Sequence, residues 1–350
     1  MSKVRIGFVG TGFMGQQAHL RSYMALEDCE VVAIAEPREK LRAAVAARYG
    51  IPNAYSDHWE LLANCEVDGI VASQPYDRHA VLVPEILERQ IPLFTEKPLA
   101  VSFETGERLV QAASDNDTLY MVGYHKRSDP AMEYAQSLIR EWKLTEMCGP
   151  MRYIRATMPP GDWIAGGDQG YIKTDETSPD GERERPPQDM DTETFEAYNE
   201  FVNYYVHQVN ALRFLLDEPY DLVHVSPSGV LLVGESPSGV TVTLEMAPYR
   251  TSLTWEESYL VAFEKGYVRI DLPAPLISQQ AGTVTVMQDP GNEMPPRRTQ
   301  PVLPKTHAML NQAANFVAAI REERSAPCEA YEALEDLRIC REYIRLKTGQ

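Results

Sequence analysis

Val4-Arg5-Ile6-Gly7-Phe8-Val9-Gly10-Thr11-Gly12-Phe13-Met14-Gly15 joins a short apolar run to three glycines spaced G-x-G-x-x-G, and a helix-like stretch, 16–26, follows at once. In that setting each glycine has a task. Gly10 permits the tight turn, Gly12 lets the backbone approach a pyrophosphate, and Gly15 lets helix and strand pack closely. The start of the helix then offers free N–H groups and a partial positive charge to the phosphates. Thr11, Phe13 and Met14 complete the loop, so residues 10–15 are read together as cofactor-binding. A second strand, 30–35, ends in Glu36, near the spacing at which an acidic residue bonds the ribose hydroxyls of NAD. Arg38 stands two residues on and is the kind of side chain that accommodates the extra phosphate of NADP. The pair points to NAD and leaves NADP open. Glu36 also reads as an acid serving the start of a helix over 38–49.

Working outward, strand and helix alternate: helix 59–64, strand 69–73, helix 79–89, strand 91–95, helix 103–114 and strand 119–123. This cadence specifies a parallel, doubly wound sheet, a Rossmann dinucleotide-binding domain assigned to residues 1–125. The loop from Ser73 through Gln74 and Pro75 to His79 leaves its strand on the cofactor side. Its backbone is expected to line the nicotinamide half, with His79 reading as a helix-start residue rather than a catalyst. The run Ile91-Pro92-Leu93-Phe94-Thr95 delivers Glu96 and Lys97 to a strand's carboxyl end, where open α/β sheets bind ligands. Lys97 is therefore the first candidate for chemistry. The plainer reading of Glu96 and Lys97 is two solvated loop charges.

At 350 residues the chain is long enough for two domains, and a net charge of −18 sets it against phosphate backbones and anionic lipid. Neither nucleic acid nor membrane is expected as a partner. Five scattered cysteines show no zinc-binding spacing, so no metal is expected and the thiols read as reduced packing residues. Met1-Ser2-Lys3 runs directly into the first strand, which leaves no room for a signal peptide; a cytoplasmic location is the expectation.

The glycine motif, Thr95-Glu96-Lys97-Pro98 and Val122-Gly123-Tyr124-His125-Lys126-Arg127-Ser128-Asp129-Pro130, taken in this order, resemble the glucose–fructose oxidoreductase / inositol dehydrogenase (Gfo/Idh/MocA) family. The resemblance implies a cis Lys97–Pro98 peptide, cofactor-side roles for Glu96, Lys97 and His125, and an α+β second domain with an open, mostly antiparallel sheet, here 126–350. Strands are expected at 151–158, 222–225, 229–233, 239–246, 258–264, 267–271 and 283–287, with closing helices at 306–321 and 328–345. Between 195 and 216 apolar residues recur at helical spacing, and Asn203, His207 and Asn210 form a separate polar stripe. By resemblance His207 holds the family's catalytic histidine position, and Asn203 and Asn210 stand where aspartates are usual. A carboxylate there would stabilise imidazolium, whereas an amide only bonds and orients the ring.

The resemblance implies an NAD(P)-dependent oxidoreductase acting on a secondary hydroxyl of a sugar or polyol. Lys97 and His207 would share the hydroxyl proton, and Asn203 would orient His207 or the substrate. Two alternatives stand beside it: a glycoside hydrolase using NAD for transient sugar oxidation, and a non-catalytic dinucleotide-binding regulator. Substrate contacts are expected from Lys97, Arg127, Arg155, Trp163, Asn203, Tyr204 and His207, and Lys126 is a further cation for an anionic group. Residues 159–194, rich in Pro, Gly, Asp and Glu, are either a lid carrying Trp163 or a mobile acidic insertion. A homodimer or homotetramer is implied by resemblance.

Overall fold

The structure, a computed structural model, describes residues 2–291 and 294–349. The chain makes two compact units, neither continuous in sequence. Met1–Tyr124, Asp168–Asp191 and Met309–Leu337 form the first, and His125–Gly167, Thr192–Ala308 and Arg338–Gln350 form the second. The first crossing falls between Tyr124 and His125, and the chain returns to the first unit twice, so two continuous stretches, 1–125 and 126–350, do not describe these units. Packing explains one return: Ala313, Phe316 and Val317 sit in one core with Val4, Ile6 and Phe8. The first sheet needs these later side chains to cover it.

In the first unit β1 (Val4–Val9), β2 (Cys29–Ala35), β3 (Asn53–Tyr55), β4 (Gly69–Ala72), β5 (Leu93–Glu96) and β6 (Tyr120–Gly123) pair in parallel, in the order β3-β2-β1-β4-β5-β6. β4 and β6 are buried along their whole length, as expected where both faces of a parallel sheet are covered. The order reverses direction between β1 and β4, which puts the ligand-binding switch point at their carboxyl ends. β3 spans three residues and is too short to show a period in the sequence. After β1 the chain winds as a π-helical turn, Gly15–Leu20, before Arg21–Tyr23.

The second unit holds β7 (Met151–Thr157), β8 (Asp221–Val225), β9 (Leu231–Glu235), β10 (Thr241–Glu245), β11 (Glu257–Phe263), β12 (Gly266–Leu272), β13 (Thr283–Gln288) and β14 (Arg297–Thr299). Their order is β14-β13-β12-β11-β7-β10-β9-β8, antiparallel except where β7 meets β10. Burial alternates cleanly along β11 and β12, the mark of a sheet with one covered face. The helices Pro130–Thr145 and Thr192–Leu216 pack in this unit. Pro130–Thr145 has no counterpart in the sequence reading, although Asp129 as cap and Pro130 in the first turn are a start signal.

Candidate functional site

In the first unit the glycine loop is fixed from below. The Gly10 amide donates to the Ala35 carbonyl at 2.8 Å, and Gly10 has a φ of +90°. A Cβ at Gly10 would meet the Ser73 carbonyl oxygen at 2.7 Å, and one at Gly15 would meet the Gly10 carbonyl oxygen at 2.5 Å, so protein atoms forbid side chains at both. Gly12 differs, since the nearest atom to its Cβ would be Arg38 Nη2 at 3.9 Å. The room above Gly12 is a cradle for a ligand, and the residues fit a dinucleotide. These close approaches put Ser73 and Gln74 beside Gly10, and Pro75 leads the short turn Tyr76–Arg78.

Glu36, directly after β2, is 1% exposed. Its carboxylate accepts from the Thr11 amide (3.0 Å), Thr11 Oγ1 (3.1 Å), Arg38 Nε (2.7 Å) and Arg38 Nη2 (2.9 Å). Burial pushes this carboxyl up. The Arg38 guanidinium and the Thr11 and Arg38 amides outweigh that and hold it below the usual range.

Lys97 follows β5 at its carboxyl end, and the Lys97–Pro98 peptide is cis. Glu96 is turned inward: Oε1 meets His19 Nε2 at 2.5 Å, and Oε2 accepts from the Lys97 amide at 3.1 Å. Burial raises the Glu96 carboxyl, but the His19 contact and the Lys97 charge and amide bring it below its ordinary value. The sequence offers no sign of His19, whose place comes from the helical winding after the glycine motif. His79 is fully buried with Nδ1 3.0 Å from the Leu99 carbonyl, and burial lowers it to about 4. It ties the turn after Lys97 and presents no surface to a cofactor.

In the second unit His125 and His207 lie edge to face, their ring centroids 4.8 Å apart. Beside His125, Lys126 Nζ pairs with Glu257 Oε2 at 2.9 Å, with side chains 5% and 0% exposed. Glu257 Oε1 also accepts from Gln208 Nε2 (2.8 Å) and Tyr259 Oη (2.6 Å). Lys126 is therefore already neutralised. A small cleft is lined by His125, Lys126, Asp129, Gln280 and His307, with Leu272 to Pro275 and Ile277. Burial pushes Asp129 up to about 6, against the pull of the Ala131 and Gly282 amides and of Lys126. Gln208 and Glu257 carried no functional signal in the sequence, because each gains its meaning from partners far along the chain.

The polar stripe on the helix Thr192–Leu216 divides. Asn203 is exposed, His207 half-buried, and Asn210 buried, accepting from Arg127 Nε at 2.8 Å. Arg127 is 3% exposed and lies over the Phe214 ring, 5.0 Å from its centroid, so it is a core cation rather than a surface anion binder. Arg155 is also displaced from its expected role. It stands between Ile154 and Ala156, both fully buried, and strand alternation turns it to the opposite face of the sheet from them. Tyr204 is half-buried edge-on to Tyr205; burial raises its phenol, and the Gly161 backbone offsets part of that. Trp163 is half-buried, its carbonyl accepting from the Leu276 amide at 3.3 Å in the loop that lines the cleft. Among the described residues no group of three His, Cys, Asp or Glu is placed to hold a metal, and no helix is long and apolar enough to cross a membrane.

Residues 4–124 match the family described as an oxidoreductase family with an NAD-binding Rossmann fold. The rhizopine catabolism protein MocA of Rhizobium meliloti is 30% identical over 140 residues, 40% of this chain and 43% of that protein. The match thus spans less than half of that relative. Inositol 2-dehydrogenase of Rhizobium meliloti strain 1021 is 23% identical over 337 residues, 91% of this chain and 89% of its own. A solved oxidoreductase from Agrobacterium radiobacter, in complex with NAD+, L-tartaric acid and magnesium, shares the fold with a TM-score of 0.72 at 15% identity, covering 100% of this chain and 98% of that one.

Proposed function

We propose that this chain, a member of the Gfo/Idh/MocA oxidoreductase family with an NAD-binding Rossmann unit, is a dehydrogenase for a secondary hydroxyl of a sugar or polyol. The observation that carries the reading is Lys97 at the carboxyl end of β5, in a unit whose Gly12 cradle is open to a dinucleotide. Similarity to an inositol 2-dehydrogenase along nearly the whole chain supports the substrate class. Residues 10–15, with Glu36 and Arg38, would hold NAD, which when bound supplies the hydride acceptor.

Lys97 Nζ takes the hydroxyl proton in this reading. Glu96 sets the approach of Lys97 through its backbone amide, and His19 in turn fixes Glu96. In the second unit His207, edge-on to His125, is assigned to a substrate hydroxyl. Asn203, one turn before it, orients the ring without stabilising imidazolium. A second copy of the chain is placed on the outer face of the eight-stranded sheet, where Tyr153, Leu260 and Tyr267 are half-buried; sedimentation of the full chain as a monomer would remove that part.

The test is reduced-nicotinamide absorbance across a panel of polyols and sugars. Lys97→Ala should lower kcat by about 10²–10⁴-fold while the dinucleotide Kd changes little. Undiminished turnover in that variant would remove Lys97 from the reaction.

A further inference from the structure

We propose that residues 168–184 form the outer wall of the dinucleotide site, a strap that closes over NAD and governs its release. The proposal rests on the NAD-binding character of the first unit, and every contact that carries it lies within that unit.

The strap is fastened at two ends. At the first, Gln16 grips the Ile172 main chain twice: its Oε1 accepts from the Ile172 amide at 3.0 Å and its Nε2 donates to the carbonyl at 3.1 Å. The same Nε2 donates to the Thr11 carbonyl at 2.8 Å, so one side chain joins the glycine loop to the strap. Tyr171 meets Phe13, which follows the second glycine of the motif, edge to face at 5.3 Å, and Ile172 packs on the hydrophobic core. Glu176 accepts from the Lys40 and Leu41 amides, both at 3.0 Å, at the start of the helix Glu39–Tyr49. Arg48 donates to the Gly170 carbonyl.

At the second end Glu184 accepts from the Val101 and Ser102 amides, both at 3.0 Å, and from Ser102 Oγ at 2.6 Å, ahead of the helix Phe103–Asp115. Its own amide donates to the Asp77 carbonyl at 2.6 Å, and Arg183 pairs with the Asp77 carboxylate at 2.7 Å. Glu176 thus sits on free amides in the first turn of a helix, where negative charge is favoured, and Glu184 on the amides just ahead of another helix.

The two ends stand on opposite sides of the switch point. The first grips segments that follow β1 and β2, and the second grips segments that follow β4 and β5. Neighbouring strands are about 5 Å apart, so crossing from β2 to β5 takes roughly 15 Å. The exposed residues 177–183 reach about 23 Å when extended, enough to pass over the crevice without pulling on either end. A polar run of this kind has no core of its own, and these anchors are what order it. A dinucleotide in the cradle above Gly12 would lie beneath it, and leaving would require one end to open.

The experiment is stopped-flow displacement of NADH from the full chain, read by nicotinamide fluorescence. Glu176→Ala combined with Glu184→Ala should speed release by about tenfold or more, as expected for loss of several charge-assisted hydrogen bonds. Unchanged release overturns the strap. Tighter binding in the double variant also overturns it, since the segment would then compete with NAD rather than cover it. Failure of the unaltered chain to bind NADH overturns the NAD reading itself. Should the double variant not fold, trypsin decides on the unaltered chain: NAD should slow cleavage after Lys173 and Arg183 at least several-fold, and equal cleavage with and without NAD overturns the proposal.

Discussion

Glu36–Arg38 in the first unit and Lys126–Glu257 in the second are both ion pairs withdrawn from water beside candidate functional residues, and they are built in opposite ways. Glu36 and Arg38 are two residues apart, and the other donors to Glu36 come from Thr11 in the adjoining loop. Lys126 and Glu257 join the turn after β6 to the first residue of β11, with Gln208 brought in from the long helix. A local pair can survive motion of its loop as a unit. A long-range pair fixes three elements at once, so losing one member leaves a buried charge without the partner that was bonded to it.

The largest effect should therefore come from Glu257→Ala. It strands the Lys126 ammonium at 5% exposure, and removing one partner of a buried pair costs about 3–5 kcal/mol. Urea denaturation of the full chain measures it. A loss below about 1 kcal/mol would put this pair in the class of solvent-screened surface bridges and erase the contrast.

Arg38→Ala should cost less, about 1–2 kcal/mol, because the Thr11 hydroxyl and the Thr11 and Arg38 amides still hold the Glu36 carboxylate. Its pH signature sharpens the comparison. A carboxyl held below its unfolded value contributes stability above that unfolded value and loses it as pH falls through the folded one. Removing the guanidinium takes away the principal lowering influence, so the acid limb of the Tm–pH curve should move to higher pH. A curve that keeps its acid limb would show that the amides alone set Glu36.

The same contrast explains what the sequence could disclose. The glycine motif, Glu36, Arg38 and Lys97 are legible because their geometry is local: a strand end, a tight turn and a fixed interval place them. The parallel sheet is legible from its cadence, apart from the three-residue β3. In the second sheet β7 to β13 are also legible, since one covered face imprints a period of two, whereas the three-residue, exposed β14 leaves no pattern to read. His19 against Glu96, Arg127 against Asn210 and Lys126 against Glu257 depend on tertiary approach, and no periodicity announces them. Arg127 and Arg155 illustrate the limit, for a cation in a sequence carries no mark of whether it will face a substrate, a buried amide or the outside of a sheet. The segment 168–191 shows it again, since lid and mobile insertion read alike in the sequence, and the contacts of Glu176 and Glu184 with main-chain amides come only with the fold.

Asp129→Asn is the smallest effect and runs in the opposite pH direction to Arg38→Ala. Burial raises the Asp129 carboxyl to about 6, so the folded state disfavours its ionised form. For an acid raised in this way, the folded state loses stability as pH climbs from the unfolded value through about 6, and the cost is constant above. An asparagine carbonyl still accepts from the Ala131 and Gly282 amides, which now bond the Asp129 oxygens at 2.8 and 3.1 Å, and it brings no buried charge. The substitution should stabilise the protein by on the order of 1 kcal/mol near pH 8 and by much less near pH 5, measured by urea denaturation at the two values. An equal gain at both would mean that the Asp129 carboxyl is not raised on folding and is ionised at both values. A loss near pH 8 would mean that its charge is needed beside Lys126, making this cluster a coupled triad rather than a pair with a capping acid next to it.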